Sequence, residues 1–222
     1  DSYTPEVDGY TPGHSATYKI WDASEDEILH YTDPDYISGD DVFLAGESTY
    51  LNLSAVSPLT HTINISSGWN IFSSAVMPDD PSMLSVVQPL IDAGTLVKVQ
   101  DETGSALEYL GDRWYNFIGD IRPAEGYKIR VNATTVLEIP GRPVSSPINI
   151  PLTSGWNIIS YCFTSSQPAL DAFESLIDAG TLVKVQNETG MAIEYLSGYG
   201  WIDNIGDLLP GEGYKVRTNA NT

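Results

Sequence analysis

The stretch LIDAGTLVKVQDETG (residues 90–104) returns as LIDAGTLVKVQNETG (residues 176–190), with Asp101 against Asn187 as the one difference. Leu90 and Ile91 close an apolar helical period, and Gly94 sits where a left-handed helix C-cap belongs. LVKVQ alternates apolar and polar side chains, as a half-buried strand does. DETG or NETG then turns the chain back into a second strand. Helix, strand, turn and strand written twice predict one supersecondary unit built twice.

The match extends outward. SGWNIFS (67–73) pairs with SGWNIIS (154–160), ALEYL (106–110) with AIEYL (192–196), and IGDIRPAEGYKIR (118–130) with IGDLLPGEGYKVR (205–217). The offset is 87 from Trp69 to Trp156, 86 from Leu96 to Leu182, and 87 from Gly126 to Gly213. Both changes of offset fall where loops are expected. Each copy is expected to carry one short helix. In the first, Asp80 is the expected N-cap, Pro81 the first helical residue and Gly94 the C-cap; Pro168 and Gly180 match them in the second. Leu84, Val87, Leu90 and Ile91 form its apolar face, matched by Leu170, Phe173, Leu176 and Ile177.

The residues kept between copies are mainly Gly, Trp, Ile, Leu, Val and turn formers, so packing is conserved between the copies rather than reactive chemistry. The kept polar residues, among them Asn70/Asn157, Gln100/Gln186, Glu102/Glu188 and Glu125/Glu212, are expected to serve turns and helix ends locally. The order GWNIxS, helix, LVKVQxETG, IGD, PxEGYKxR resembles a repeat of secreted and cell-surface proteins of bacteria and archaea. Its LIDAGTLVKVQDETG variant resembles that of long multidomain surface proteins of the Bacteroidetes type. The resemblance spans roughly residues 60–222 and implies a structural or adhesive module without catalysis. Lys128 and Lys215 depart from the broader pattern, which prefers an aromatic there.

Residues 1–57 have another texture. SATYKIWDASEDEILHYT reads as strand, acidic turn, strand, and DDVFLAGESTYLNLSAV as a further strand pair. The stretch resembles the closing half of an immunoglobulin-like module, with too few strands for an independent sandwich. The expected fold is therefore mainly β (α+β): a partial immunoglobulin-like β-sandwich at 1–57, then α+β repeats at 58–145 and 146–222. VLEIPG (136–141) reads as a strand completing the first repeat, and its counterpart would begin at Thr222. An edge left bare near one end is expected to pair with a neighbouring subunit.

Ten basic and thirty acidic residues leave a net charge of −20. That field disfavours nucleic acid and acidic membranes, and no apolar run is long enough for a membrane-spanning helix. The expected partners are copies of the chain or other cell-surface proteins, with glycans as an alternative, in an extracellular or cell-surface setting. Asp33, Asp35, Asp40 and Asp41 cluster about a Gly in what reads as a short loop, a candidate for Ca²⁺ against a plain acidic loop; EF-hand spacing is not met. No other cofactor is expected. Trp114 and Trp201 are the candidate sugar platforms, whereas Trp69 and Trp156 are expected to be buried core residues. Asn52, Asn64, Asn132 and Asn187 open N-glycosylation sequons. His14, His30 and His61 show no metal-ligand spacing, and Cys162, alone in an apolar run, reads as a small hydrophobe. No catalytic constellation is present in the pattern, so an enzyme is not expected. The competing expectation is a carbohydrate-binding module of a secreted enzyme.

Overall fold

The computed structural model describes residues 11–29, 31–145 and 147–222; His30 lies outside them. The chain is mainly β and divides into two compact units, Asp1–Pro58 and Leu59–Thr222.

The first unit holds two antiparallel hairpins, β1 (Ile20–Asp22) with β2 (Glu27–Leu29) and β3 (Tyr31–Ser38) with β4 (Tyr50–Val56). None of its described residues is fully buried, so the hairpins have no closed apolar core among them. The sequence Asp33 to Ser38 is strand rather than loop, which corrects the expected acidic loop. Alternation explains this: Tyr36 and Pro34 face one way while Asp33 and Asp35 stand opposite Ser54 and Asn52.

In the second unit each copy builds its own sheet. The first sheet has the order β10-β9-β8-β11-β6, from β6 (Gly68–Phe72), β8 (Leu96–Gln100), β9 (Ala106–Leu110), β10 (Arg113–Asn116) and β11 (Tyr127–Val131). The second repeats it from β13 (Gly155–Ser160), β15 (Leu182–Gln186), β16 (Ala192–Leu196), β17 (Gly200–Asp203) and β19 (Gly213–Thr218), so that β13 stands at the same edge as β6. All pairings are antiparallel, and no named strand crosses from one copy to the other. Each sheet turns one face to its own apolar core. Val99, Leu107, Tyr127 and Ile129 fill the first, and Val185, Ile193, Tyr214 and Val216 the second.

Each copy carries two one-turn helices where one was expected: α1 (Met83–Val86) and α2 (Gln88–Asp92), then α3 (Ala169–Ala172) and α4 (Glu174–Asp178). Val87 and Phe173 interrupt them at φ −99° and −106°, and both side chains are buried. Pro89 is not needed for the break, because Ser175 holds its place in the second copy. Gly94 and Gly180 take φ +66°, the left-handed C-cap foreseen. Asp80 is not the N-cap. Ser82 is, and Asp80 instead accepts the Ser82 N–H and the Ser85 hydroxyl.

Beneath the first sheet, β5 (Leu59–Ile65) pairs along its whole length with β12 (Thr135–Pro143), which runs on to β7 (Val76–Met77). Gly141 lets β12 pass the Met77 carbonyl, where a Cβ would collide. The second copy differs. Leu152 and Thr222 exchange two backbone hydrogen bonds there, whereas β14 (Gln167–Pro168) pairs with β18 (Asp207–Leu208) where the first copy makes the equivalent Ser82–Asp120 bridge.

Candidate functional site

β6 and β13 are edge strands, and an edge exposes unpaired amides and carbonyls. Each copy covers the other's edge. The Ile71 N–H donates to Glu188 Oε2 at 2.9 Å, and the Ile158 N–H donates to Glu102 Oε2 at 3.0 Å. The Ser73 N–H reaches the Gly211 carbonyl at 2.9 Å, and the Ser160 N–H reaches that of Ala124 at 3.3 Å. Phe72 bridges Glu212, and Ile159 bridges Glu125. Each of these three contacts recurs with the copies exchanged, so an approximate internal two-fold relates them across this seam. The Gly126 N–H to Ile158 carbonyl and Tyr161 N–H to Ser73 Oγ bonds have no counterpart among the described residues.

The kept residues make the seam possible. Gly126 and Gly213 have ordinary negative-φ backbone, so conformational freedom does not explain them. A Cβ on Gly126 would lie 2.5 Å from the Ile159 carbonyl oxygen, and one on Gly213 would lie 2.8 Å from Ile71 Cγ2. The turn before each glycine is fixed from within: the buried Tyr127 and Tyr214 hydroxyls donate to Glu125 and Glu212 at 3.0 and 2.8 Å. They also accept the Arg122 and Leu209 N–H groups. Burial, chiefly, pushes both phenols well up, so they stay protonated donors. Glu188 loses water at the seam and lies near Glu212; these together outweigh the Ile71 N–H and raise its carboxyl.

The outer faces of the two sheets carry the unexpected chemistry. Lys98, Arg113, Lys128 and Arg130 project from the first, and Lys184, Lys215 and Arg217 from the second. These are seven of the ten basic residues of a chain with net charge −20. Lys98 and Lys184 are tied to Glu108 and Glu194 across the strands at 2.8 and 2.9 Å. Lys128 and Lys215 have no carboxylate partner among the described residues. They meet at the seam in a hollow of about 300 Å³ lined also by Trp69, Ile71, Gln100 and Glu188.

Trp69 and Trp156 are not core residues. They are 50% and 48% exposed, correcting the expectation of burial. The reason is strand alternation: Asn70 and Phe72 take the inner face of β6, leaving Trp69 outside, where the Arg130 guanidinium lies 6.0 Å from its ring. Asn70 is inside because its side chain closes the preceding turn, accepting the Ser66 N–H and donating to the Ser66 carbonyl; Asn157 does the same with Thr153. Trp114 and Trp201 pack against the two cores, each edge-on to a tyrosine, Tyr109 or Tyr195. The open indole faces therefore belong to the other tryptophan pair.

The remaining sequence candidates are dispersed. Asp40 Oδ1 accepts the Val42 N–H, Asp35 contacts Asn52, and no group of three or more acidic, histidine or cysteine side chains suited to a metal converges among the described residues. Asn52, Asn64 and Asn132 are exposed, whereas Asn187 uses its Oδ1 to hold the turn to Met191. Cys162 is buried, and burial raises its thiol. Among the described residues no helix is long and apolar enough to cross a membrane. Compared with known protein families, curated proteins and solved structures, the chain matches none.

Proposed function

We propose that the chain is a non-catalytic structural or adhesive module of the cell surface, a building block of a layer, fibre or long adhesin. The polar residues kept in both copies support this. Asn70/Asn157 close turns, Lys98–Glu108 and Lys184–Glu194 tie strands, and Glu102/Glu188 and Glu125/Glu212 hold the seam and its turns.

The observation that carries the assembly reading is the groove of the second copy. In the first copy β12 lies along β5 and contributes Leu137 and Ile139 to the core. The matching surface of the second copy, lined by Ile148, Ile150, Leu152, Tyr161, Phe173 and Leu208, is an open hollow of about 300 Å³. Thr222 already pairs with Leu152 at one end of this hollow, and an extended strand with the pattern of β12 fits the remainder, making main-chain bonds to the 148–150 segment and seating alternate apolar side chains. The test is to titrate a synthetic TVLEIPGRP peptide, the sequence of β12, into the full chain. Saturable binding, abolished when the peptide's Leu and Ile become Asp, is expected. No binding at millimolar peptide, with a monomeric mass in solution, would overturn the assembly reading.

A further inference from the structure

We propose that the outer sheet face at the seam is a binding site for an acidic polysaccharide built of uronate rings. Three observations meet there. First, both exposed tryptophans recur in the two copies without serving either core, and a flat indole half open to water is a stacking surface for the apolar face of a sugar ring. Second, Lys128, Arg130, Lys215 and Arg217 stand on β11 and β19, the strands next to the seam, with no ion pair among the described residues, so in a chain of net charge −20 an anionic ligand is attracted here. Third, the hollow beside Trp69 brings Lys128 of one copy together with Lys215 of the other, with the Gln100 amide between strands as a further donor. Neither lysine forms an ion pair among the described residues, and the one carboxylate in the hollow, Glu188, is turned to the Ile71 N–H.

A uronate carries its carboxylate directly on a ring carbon. A ring stacked on Trp69 therefore presents its charge at the ring edge, where the two ammonium groups stand. Glu188 keeps Oε2 on the Ile71 N–H and offers its other oxygen to a sugar hydroxyl. The internal two-fold carries Trp69 to Trp156 and exchanges Lys128 with Lys215. The site is thus two stacking positions sharing a central lysine pair, a layout suited to a linear chain crossing the seam rather than to a single sugar. The inference is independent of the strand groove, whose residues lie elsewhere in the second copy.

The test is calorimetric titration of the full chain with oligogalacturonate, dextran sulfate and neutral dextran. Binding of oligogalacturonate, weakened by salt and absent for neutral dextran, is expected. Trp69→Ala with Trp156→Ala, and separately Lys128→Gln with Lys215→Gln, should each raise Kd at least tenfold while the thermal melt confirms a folded protein. No binding of oligogalacturonate would overturn the proposal. So would equal or tighter binding of dextran sulfate, or indifference to the tryptophan pair, since either marks unspecific charge attraction. Lysine variants that alter only self-association would overturn it in favour of an acidic surface of a second copy.

Discussion

His61 shows how one side chain is committed by its surroundings. It is buried, and its Nδ1 accepts the Ala75 N–H at 3.0 Å, a bond only the neutral ring can make. Burial lowers its pKa below the ordinary histidine value of 6.5. A depressed value means that the folded state favours the neutral ring; its contribution is complete above pH 6.5 and is lost as pH falls through the lowered value. Relative to His61→Asn, which keeps an acceptor but cannot be charged, the wild-type protein should lose thermal stability between pH 7 and pH 5. Parallel melting curves for the two proteins would refute this. The tryptophans supply a second contrast. Trp114→Ala or Trp201→Ala removes packing from a core edge and should cost about 2–3 kcal/mol in urea unfolding. Trp69→Ala and Trp156→Ala should each cost less than about 1 kcal/mol. Reversal of that order would restore the burial inferred from sequence.

At the level of elements, the succession of helical segment and strands along the chain, the hairpins and the glycine C-caps were legible, because period-two alternation and Gly at φ +66° leave local marks. The place of β11 between β8 and β6 was not. Nor were three further features. The break at Val87 and Phe173 has no glycine or shared proline to announce it. The side of the strand taken by Trp69 depends on Asn70, whose inward position follows from a bond to Ser66 rather than from its polarity. The partners of Glu102 and Glu188 lie 56 and 117 residues away, where no local pattern reaches. The cations of the outer face were equally hidden, since their convergence depends on two sheets meeting. Gly126 and Gly213 tell the same story in reverse: conserved between copies, they mark a close approach rather than a turn. Gly126→Ala should force Ile159 away and cost about 1–3 kcal/mol in chemical unfolding, with the strain relieved if the seam opens. A substitution without measurable effect would show that the two backbones are not so close.

On the scale of the whole second unit, duplication solves a problem that one copy would leave open. A five-stranded sheet has two edges, and the β6 or β13 edge is the one that each copy hands to its twin. The two copies keep separate sheets and cores, yet their union satisfies edge amides that would otherwise face water or another molecule. The union also assembles Lys128 and Lys215 in one hollow, so the proposed glycan site exists only while the seam is closed. The most direct measurement is native-state hydrogen exchange at the Ile71 and Ile158 amides. Both should exchange as slowly as interior sheet amides such as Val99. Glu188→Ala should accelerate Ile71 alone and Glu102→Ala should accelerate Ile158 alone, each while the sheet interior stays protected. Exchange of both amides at open-edge rates in the unmodified protein, or rates indifferent to either glutamate, would contradict the seam.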